Sequence, residues 1–149
     1  MKFNNEFFSL IDISTTHNQF LFRSSKEAEN VDLLFQGVFY YSGAIEFSNC
    51  TIYLAKDKQD KQAFFKLSNI KELDSNQNIF VIEADGNKYF IGAFRLHYQK
   101  NNLPPTETSI AIKKEEPMTE EDMLALVESV RKGDFDWSQL KDDSWIEIK

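Results

Sequence analysis

Short apolar runs alternate with polar stretches along most of this chain. From Phe3 to about Ile112, aromatic and β-branched residues cluster in runs separated by segments such as Ser24–Asn30 and Asp74–Asn78. Runs of this composition and spacing are typical of β-strands joined by turns. The pattern predicts several antiparallel strands that assemble into a barrel or a sandwich.

The clearest predicted hairpin spans Ile79–Tyr98. A first strand, Ile79–Ala84, leads into Asp85-Gly86, a dipeptide suited to a tight turn because glycine tolerates positive φ. The return segment, Lys88–Tyr98, alternates in hydrophobicity, which predicts one long strand with a buried face. The residues expected on that buried face are Phe90, Gly92, Phe94, Leu96 and Tyr98.

Further strands are predicted upstream from the same kind of run. Two more hairpins are expected, one around Ser42-Gly43 and one around a charged linker, and the N-terminus adds two strands. The predicted strands are Phe7–Ile13, Gln19–Arg23, Val38–Tyr41, Ala44–Phe47, Thr51–Ala55 and Ala63–Leu67.

The strand pattern stops at Asn101–Pro105, where consecutive prolines remove backbone donors. One more strand is predicted at Thr108–Lys113. A helix is then predicted over residues 118–133, capped by Thr119 and ended by Gly133. Its apolar stripe, at helical spacing, consists of Met123, Leu126, Val127 and Val130.

The last segment, residues 134–149, is acidic but rich in aromatic residues, so we expect part of it to dock on the folded body. Together these elements predict a mainly β, α+β single domain over residues 1–149. Its parts are a β-rich core (1–113), a capping amphipathic helix near the C-terminus (118–133) and the acidic aromatic segment (134–149).

The order of elements resembles PH-like and GRAM-type domains. Thr51–Ala55, a charged turn, Phe64–Leu67, the segment Ser68–Leu73, the Ile79–Phe94 hairpin and an amphipathic helix follow one another as in that family. Leu67-Ser68-Asn69-Ile70 matches the Leu-x-x-Ile type segment that often ends a strand there. The resemblance covers roughly residues 33–132 and implies an antiparallel PH-like β-roll or barrel closed by one C-terminal helix.

Members of that family that bind phosphoinositides use a basic cluster near the loop between their first strands. The resemblance therefore points to Lys56, Lys58 and Lys61 as ligand-binding residues, although Asp57 and Asp60 are interleaved among them. Lipid binding does not follow from the fold alone.

Charge is distributed unevenly along the chain. Residues 1–114 hold thirteen basic and thirteen acidic residues, whereas residues 115–149 hold four basic and eleven acidic ones, so the whole net charge of −7 lies in the last quarter. An acidic region of this kind disfavours nucleic acid and anionic membranes as ligands, because both need positive charge at the contact. It favours a basic protein partner or, as the alternative, a solvated surface with no partner at all.

Catalytic motifs are missing from the sequence. There is no GxSxG, no GxGxxG and no phosphate-binding glycine loop. His17 and His97 stand in no metal-binding spacing. Cys50 has no second cysteine to pair with, and because it lies beside the start of a strand we expect a small buried residue; the alternative is a reactive thiol near Lys56. We therefore predict no catalytic residues and no cofactor.

The segment that begins at Asp134 resembles the start of an EF-hand calcium-binding loop but lacks two of the residues that such a loop requires. Asp134-x-Asp136-x-Ser138 matches the first three ligand positions of an EF-hand loop, yet the sixth position is Gln139 rather than Gly, and the twelfth is Trp145 rather than Glu. No metal site is predicted.

These observations predict a non-enzymatic, intracellular protein-binding module, located in the cytoplasm because neither a signal peptide nor a membrane-spanning run is present. A concrete form is an immunity or antitoxin protein that neutralises a basic toxin through an acidic face. Tryptophan anchors inside a ring of carboxylates suit such a contact. The expected partner-binding residues are Asp134, Asp136, Trp137, Asp142, Asp143 and Trp145.

Two other classes of function stay open. One is a PH/GRAM-like domain that binds a lipid headgroup or a small ligand through Lys56, Lys58 and Lys61. The other is an enzyme with a pocket in its barrel, which would need perturbed carboxylates or His97 inside that pocket.

Overall fold

Two antiparallel β-sheets packed face to face form the body of the protein. The computed structural model describes residues 1–25, 29–105 and 107–110, and the backbone of Ile146–Ile148. One sheet has six strands in the order β10-β9-β3-β2-β1-β5, and the other has four in the order β4-β8-β7-β6. The strands are β1 (Phe7–Ser14), β2 (Gln19–Ser24), β3 (Asn30–Gln36), β4 (Tyr40–Ser42), β5 (Glu46–Ser48), β6 (Thr51–Leu54), β7 (Asn78–Ala84), β8 (Asn87–Ala93), β9 (Arg95–Asn101) and β10 (Ile146–Ile148), with helix α1 (Lys58–Ser68) between β6 and β7.

The prediction of a mainly β protein with antiparallel sheets is confirmed. The two sheets form an open sandwich and not a closed barrel. Their common core is largely aromatic: Phe35 of the six-stranded sheet meets Phe80 of the four-stranded sheet with ring centroids 5.6 Å apart, edge to face. Aromatic rings carry much of the buried apolar area, and the edge-to-face arrangement is the one their quadrupoles favour.

Helix α1 covers the other face of the four-stranded sheet. Phe64 of the helix is fully buried in a second apolar cluster, against Ile79 and Val81 of β7 and Phe90 of β8. Strand β7 is therefore buried on both faces, which explains why its sequence is a continuous apolar run.

The predicted strand at Ala63–Leu67 is wrong, because this segment lies inside α1. The Asp57 side chain caps the helix by accepting a hydrogen bond from the Asp60 N–H, and Asn69 ends it in the left-handed conformation at φ 58°. These are ordinary helix-ending features. The segment also contains no β-branched residue, a helix-favouring signal that the adjacent phenylalanines obscure.

The Ile79–Tyr98 hairpin is confirmed in its first half and wrong in its second. β7 and β8 pair around Asp85 and Gly86, both with positive φ, as a tight hairpin turn requires. The return strand ends at Ala93, however, and β9 continues in the other sheet. The two sheets face each other across the core. When the chain crosses from one sheet to the other, the positions that point into the core therefore change from odd-numbered to even-numbered residues.

Phe94 marks that crossing point. Its N–H donates to the Gln36 carbonyl at 2.9 Å, and its side chain is 41% exposed instead of buried as predicted. Ile91 and Ala93 before it share the core with Leu96 after it.

The hairpin predicted around Ser42-Gly43 is also wrong. β4 pairs with β8 in the four-stranded sheet, whereas β5 pairs with β1 in the six-stranded sheet. The segment between them is therefore a connection from one sheet to the other, and Gly43 lacks the positive φ of a two-residue hairpin turn.

The predicted strands at the N-terminus and at Thr51–Ala55 are confirmed as β1, β2 and β6, to within a residue at their ends. Strand β3 was not predicted. It lies between β2 and β9 at the centre of the six-stranded sheet, and its apolar run is interrupted by Asp32.

The end of the sheet at Asn101 agrees with the predicted break before Pro104-Pro105. Thr108–Ile110 forms no strand, and the rest of the strand predicted there lies outside the described residues, as does the predicted helix over 118–133. Of the acidic segment, only the backbone of Ile146–Ile148 is described; it pairs with β9, so part of the segment joins the sheet as expected. Among the described residues, no helix is long and apolar enough to cross a membrane.

Candidate functional site

The three lysines that are predicted to bind a ligand lie at or just before the start of helix α1, and the helix determines what the acids between them contact. Lys56 precedes the helix, Lys58 is its first residue, and Lys61 lies in its first turn. The Asp57 carboxylate accepts a hydrogen bond from the Asp60 N–H at 2.8 Å, and this bond holds the pKa of Asp57 below its ordinary value. One of the two interleaved acids is thus used to cap the helix.

The second interleaved acid, Asp60, is turned away from the lysines of its own loop. It is 2% exposed and accepts hydrogen bonds from Lys88 Nζ at 2.8 Å and from the Tyr53 hydroxyl at 3.1 Å. The hydrogen bond to Asp60 raises the pKa of Lys88, whose Nζ also lies 5.9 Å from the centre of the Tyr53 ring. This cluster ties α1 to β6 and β8.

Two of the three lysines, neither of which is paired with an acid among the described residues, line a pocket beside the helix. Its volume is about 270 Å³, and it lies where β6 ends, β7 begins and the first turn of α1 passes over them. Lys56 and Lys61 contribute to its wall, but Lys58 does not. The lining residues are Leu54, Ala55, Lys56, Lys61, Leu73, Gln77, Asn78 and Ile79. The structure therefore brings two of the three predicted ligand-binding residues together.

A second charged cluster lies in the six-stranded sheet, inside the protein. Arg23 on β2 and Asp32 on β3 are 3% and 0% exposed and are paired in the sheet register. They form a two-pronged ion pair, with Nε to Oδ1 at 2.7 Å and Nη2 to Oδ2 at 2.8 Å. This geometry is among the strongest that a guanidinium and a carboxylate can adopt.

Neutral donors complete the surroundings of Asp32. Asn101 donates to its Oδ2 at 2.7 Å, and the Ser109 hydroxyl donates to the same oxygen. Burial alone would raise the pKa of Asp32, but the hydrogen bonds from Arg23, Ser109 and Asn101 outweigh it and lower the pKa. Asp32 is therefore held ionised as a structural acceptor, and not as an acid with a proton to give.

The remaining donors of Arg23 hold the chain that follows β9. Its Nη1 donates to the carbonyl of Glu107 at 2.8 Å and to that of Pro104 at 3.3 Å. Asn30 adds a hydrogen bond to the Leu103 carbonyl at 2.7 Å. The Arg23–Asp32 cluster thus holds the proline-containing segment against the sheet, and we assign the cluster a structural role.

Sequence reasoning missed both of these clusters. A signal was present, since Asp32 interrupts an apolar run and Arg23 ends a strand of otherwise apolar texture. A charge at a position that the pattern marks as buried calls for a partner, because an unpaired buried charge is costly. The partners themselves, up to 84 residues away, could not be read from the sequence.

The candidate nucleophile and the histidines have ordinary surroundings. Cys50 is fully buried, which confirms the prediction, and burial raises the pKa of its thiol to about 12. His17 is exposed in the turn after β1, and His97 is half-buried on β9. No group of three or more His, Cys, Asp and Glu side chains that could hold a metal ion occurs in the described part of the chain.

The exposed apolar side chains of Phe7 and Ile13 on β1 do not form one continuous apolar surface. Phe7 and Ile13 are 55% and 48% exposed, but an irregularity in the pairing with β2 between Leu10 and Asp12 shifts the alternation. Ile13 consequently lies beside Phe20, which packs on the core, while Phe7 lies on the opposite face of the sheet.

The predicted partner-binding residues lie outside the described residues. They are Asp134, Asp136, Trp137, Asp142, Asp143 and Trp145.

Comparison of the chain with protein-family models, curated proteins and solved structures gave no match. The likeness to PH-like and GRAM-type domains therefore stays a prediction from pattern.

Proposed function

We propose that this chain is a non-enzymatic protein-binding module whose acidic C-terminal segment binds a basic partner. The observation that supports this proposal is the separation of charge. Residues 1–114 are neutral overall, and among the described residues three ion pairs lie within this part of the chain: Arg23–Asp32, Lys88–Asp60 and Lys100–Glu29. The net charge of −7 in residues 115–149 is not offset by the body and suits a partner of opposite charge.

The binding mechanism combines steering with anchoring. The carboxylates of the segment attract a basic surface over a distance and raise the rate of encounter, an effect that weakens as salt rises. Trp137 and Trp145 supply the apolar contact area that holds the complex, since tryptophan is enriched among residues that dominate binding energy. An immunity or antitoxin protein that blocks a basic toxin is the concrete form of this function.

Affinity capture from the native host with matched baits tests the proposal. One variant, D134N/D136N/D142N/D143N, neutralises the segment, and a control, E46Q/E72Q/D74N/E83Q, makes the same change in net charge on exposed positions of the body. A basic protein retained by the wild type and the control but lost by the segment variant is the expected result. Equal retention by all three baits, or a complex insensitive to salt, contradicts the proposal.

A second candidate function is a PH/GRAM-like domain that binds a lipid headgroup or a small ligand. The observation that favours it is that Lys56 and Lys61 line one pocket. If the ligand is a lipid, this function requires a PH-like arrangement completed by a helix over residues 118–133. It then predicts binding to anionic liposomes through Lys56, Lys58 and Lys61. Loss of sedimentation with such liposomes in K56Q/K58Q/K61Q is the expected outcome, and wild-type protein that never sediments removes the lipid form.

A further inference from the structure

The pocket beside α1 combines an apolar floor with a basic rim. Leu54, Ala55, Leu73 and Ile79 supply the floor, and Ala55 and Ile79 are held in place because the Ala55 N–H donates to the Ile79 carbonyl at 2.9 Å. A volume of about 270 Å³ lies just below the range of roughly 300–1,000 Å³ that is typical of ligand pockets. The pocket therefore suits a small molecule with a short apolar body.

The rim of the pocket carries two ammonium groups that have no direct acidic partner among the described residues. Within the part of the chain that the structure describes, neither Lys56 nor Lys61 makes an ion pair or a hydrogen bond through its ammonium group. The two acids nearest in sequence are engaged elsewhere, Asp57 at the helix cap and Asp60 with Lys88. None of the described residues that line the pocket carries a carboxylate.

The amide side chains of the wall add to this preference for an anion. Gln77 Oε1 accepts a hydrogen bond from the Asp74 N–H at 2.9 Å, which leaves the Gln77 amino group as the part available to a ligand. Asn78 Nδ2 donates to the Phe94 carbonyl at 2.8 Å. The pocket thus presents two ammonium groups and one amide donor above an apolar floor, and a ligand with an acceptor at one end matches it.

We propose that this pocket binds a small free organic acid, with its carboxylate between Lys56 and Lys61 and its short aliphatic body on Leu54, Leu73 and Ile79. The proposal deepens the small-ligand form of the second candidate function and rests on it. It is independent of the acidic segment. Because Lys58 does not line the pocket, the described lining residues offer two cations, which suits one carboxylate better than a headgroup with several phosphates.

An NMR titration of the full chain with hexanoate tests this site. Hexanoate should shift the backbone amide signals of Ala55 and Ile79. The neutral analogue hexanol lacks the carboxylate and inorganic phosphate lacks the aliphatic chain, so each should bind about tenfold more weakly than hexanoate. Amides around the pocket that do not respond to hexanoate would overturn the proposal, as would hexanol binding as tightly as hexanoate.

Lysine variants provide the matched control. K56Q/K61Q should weaken hexanoate binding about tenfold, whereas K58Q, which removes the same kind of charge from the same loop, should change it less than about twofold. Both sets of side chains are exposed, so the variants are expected to fold. Equal weakening by K58Q and K56Q/K61Q would mean that general charge attraction, and not this pocket, is responsible, and would overturn the proposal.

Phosphatidylserine vesicles separate a free acid from a membrane lipid as the source of the anion. Hexanoate binding without sedimentation of the protein by vesicles supports the proposal. Sedimentation that depends on Lys56 and Lys61, in the absence of any hexanoate binding, overturns it in favour of the lipid form. The segment variant D134N/D136N/D142N/D143N should titrate with hexanoate like the wild type, so failure of the protein-binding proposal would leave this one intact.

Discussion

The Arg23–Asp32 cluster and the Lys56–Lys61 pocket treat charged groups in opposite ways. In the cluster, both charges are almost fully buried, and besides each other the guanidinium and the carboxylate are matched by four neighbouring donors and acceptors. In the pocket, two ammonium groups stand at the surface and meet no acid in the described part of the chain.

The difference follows from the cost of taking a charge out of water. A buried charge must be paired and hydrogen-bonded, or folding loses several kcal/mol, so the cluster can be explained completely by stability. A surface lysine has no such need, since water solvates it. Two unpaired lysines that share a concave wall therefore offer binding capacity that stability does not require.

Removing one partner of the buried pair is the change with the largest expected effect. R23M leaves Asp32 buried with two of its four hydrogen bonds gone, so we expect a loss of about 3–5 kcal/mol in the free energy of unfolding, measured by urea denaturation. The double variant R23M/D32L, which removes both charges, should lose less than R23M. K100M, at the exposed Lys100–Glu29 pair, should lose least. A loss in K100M as large as that in R23M would contradict the ranking.

Asp60 comes next, because it is buried but has fewer partners. D60A removes the acceptor shared by Lys88 and Tyr53, and we expect a loss of about 2 kcal/mol in the free energy of unfolding. Y53F, which removes only one of the two hydrogen bonds, serves as the control and should lose less. If D60A is as stable as the wild type, the cluster does not fasten α1 to the sheet.

The third expected effect is a dependence of stability on pH. Hydrogen bonds lower the pKa of folded Asp32 below the value of about 3.9 for an unfolded aspartate. The unfolded state therefore binds this proton more readily, so the contribution of Asp32 is complete above the unfolded pKa and disappears as the pH falls through the folded one. Urea denaturation on the acid side should show this loss.

An NMR titration of the Asp32 carboxyl group in the wild type measures the same pKa directly. It needs no variant that risks unfolding. A folded pKa above that of an unfolded aspartate would show that burial outweighs the hydrogen bonds, the reverse of the expected balance.

The smallest expected effect concerns the pocket lysines. K56Q/K61Q should change the free energy of unfolding by less than about 0.5 kcal/mol, because neither ammonium group is paired or buried. Removal of the repulsion between two like charges offsets part of any loss. A large loss would mean that the lysines serve stability after all, and the contrast with Arg23 would disappear.

Elements with strong local signals could be predicted from the sequence. The turn at Asp85-Gly86 needs positive φ at both positions, and the sequence supplies the two residues that adopt it. Strands β1, β2 and β6 were visible as short apolar runs between polar stretches.

Helix α1 shows how local signals can conflict. Phe64 and Phe65 favour a strand in isolation, whereas Asp57 and Asn69 at the ends favour a helix. The packing of Phe64 against β7 and β8 decides in favour of the helix, and that contact is not visible in the chain.

The candidate site was predicted only in part for the same reason. All three lysines could be named because they are close in sequence, but the helix places two on the pocket wall and one away from it. Two acids are interleaved with the lysines in the sequence, and only the three-dimensional contacts show that Asp60 pairs with Lys88 and that Asp57 caps the helix.

The amino-acid sequence by itself was sufficient to predict a mainly β body, the hairpin at Asp85-Gly86, the end of the sheet before Pro104 and the separation of charge. Each of these depends on strand propensity, hydrophobic alternation or charge, which are properties of residues that are neighbours in the chain. The assignment of strands to one sheet or the other, the change of buried parity at Phe94 and the partners of Arg23 and Asp60 came from the folded structure alone. Each of these depends on contacts between residues far apart in the chain, where local preference carries no information.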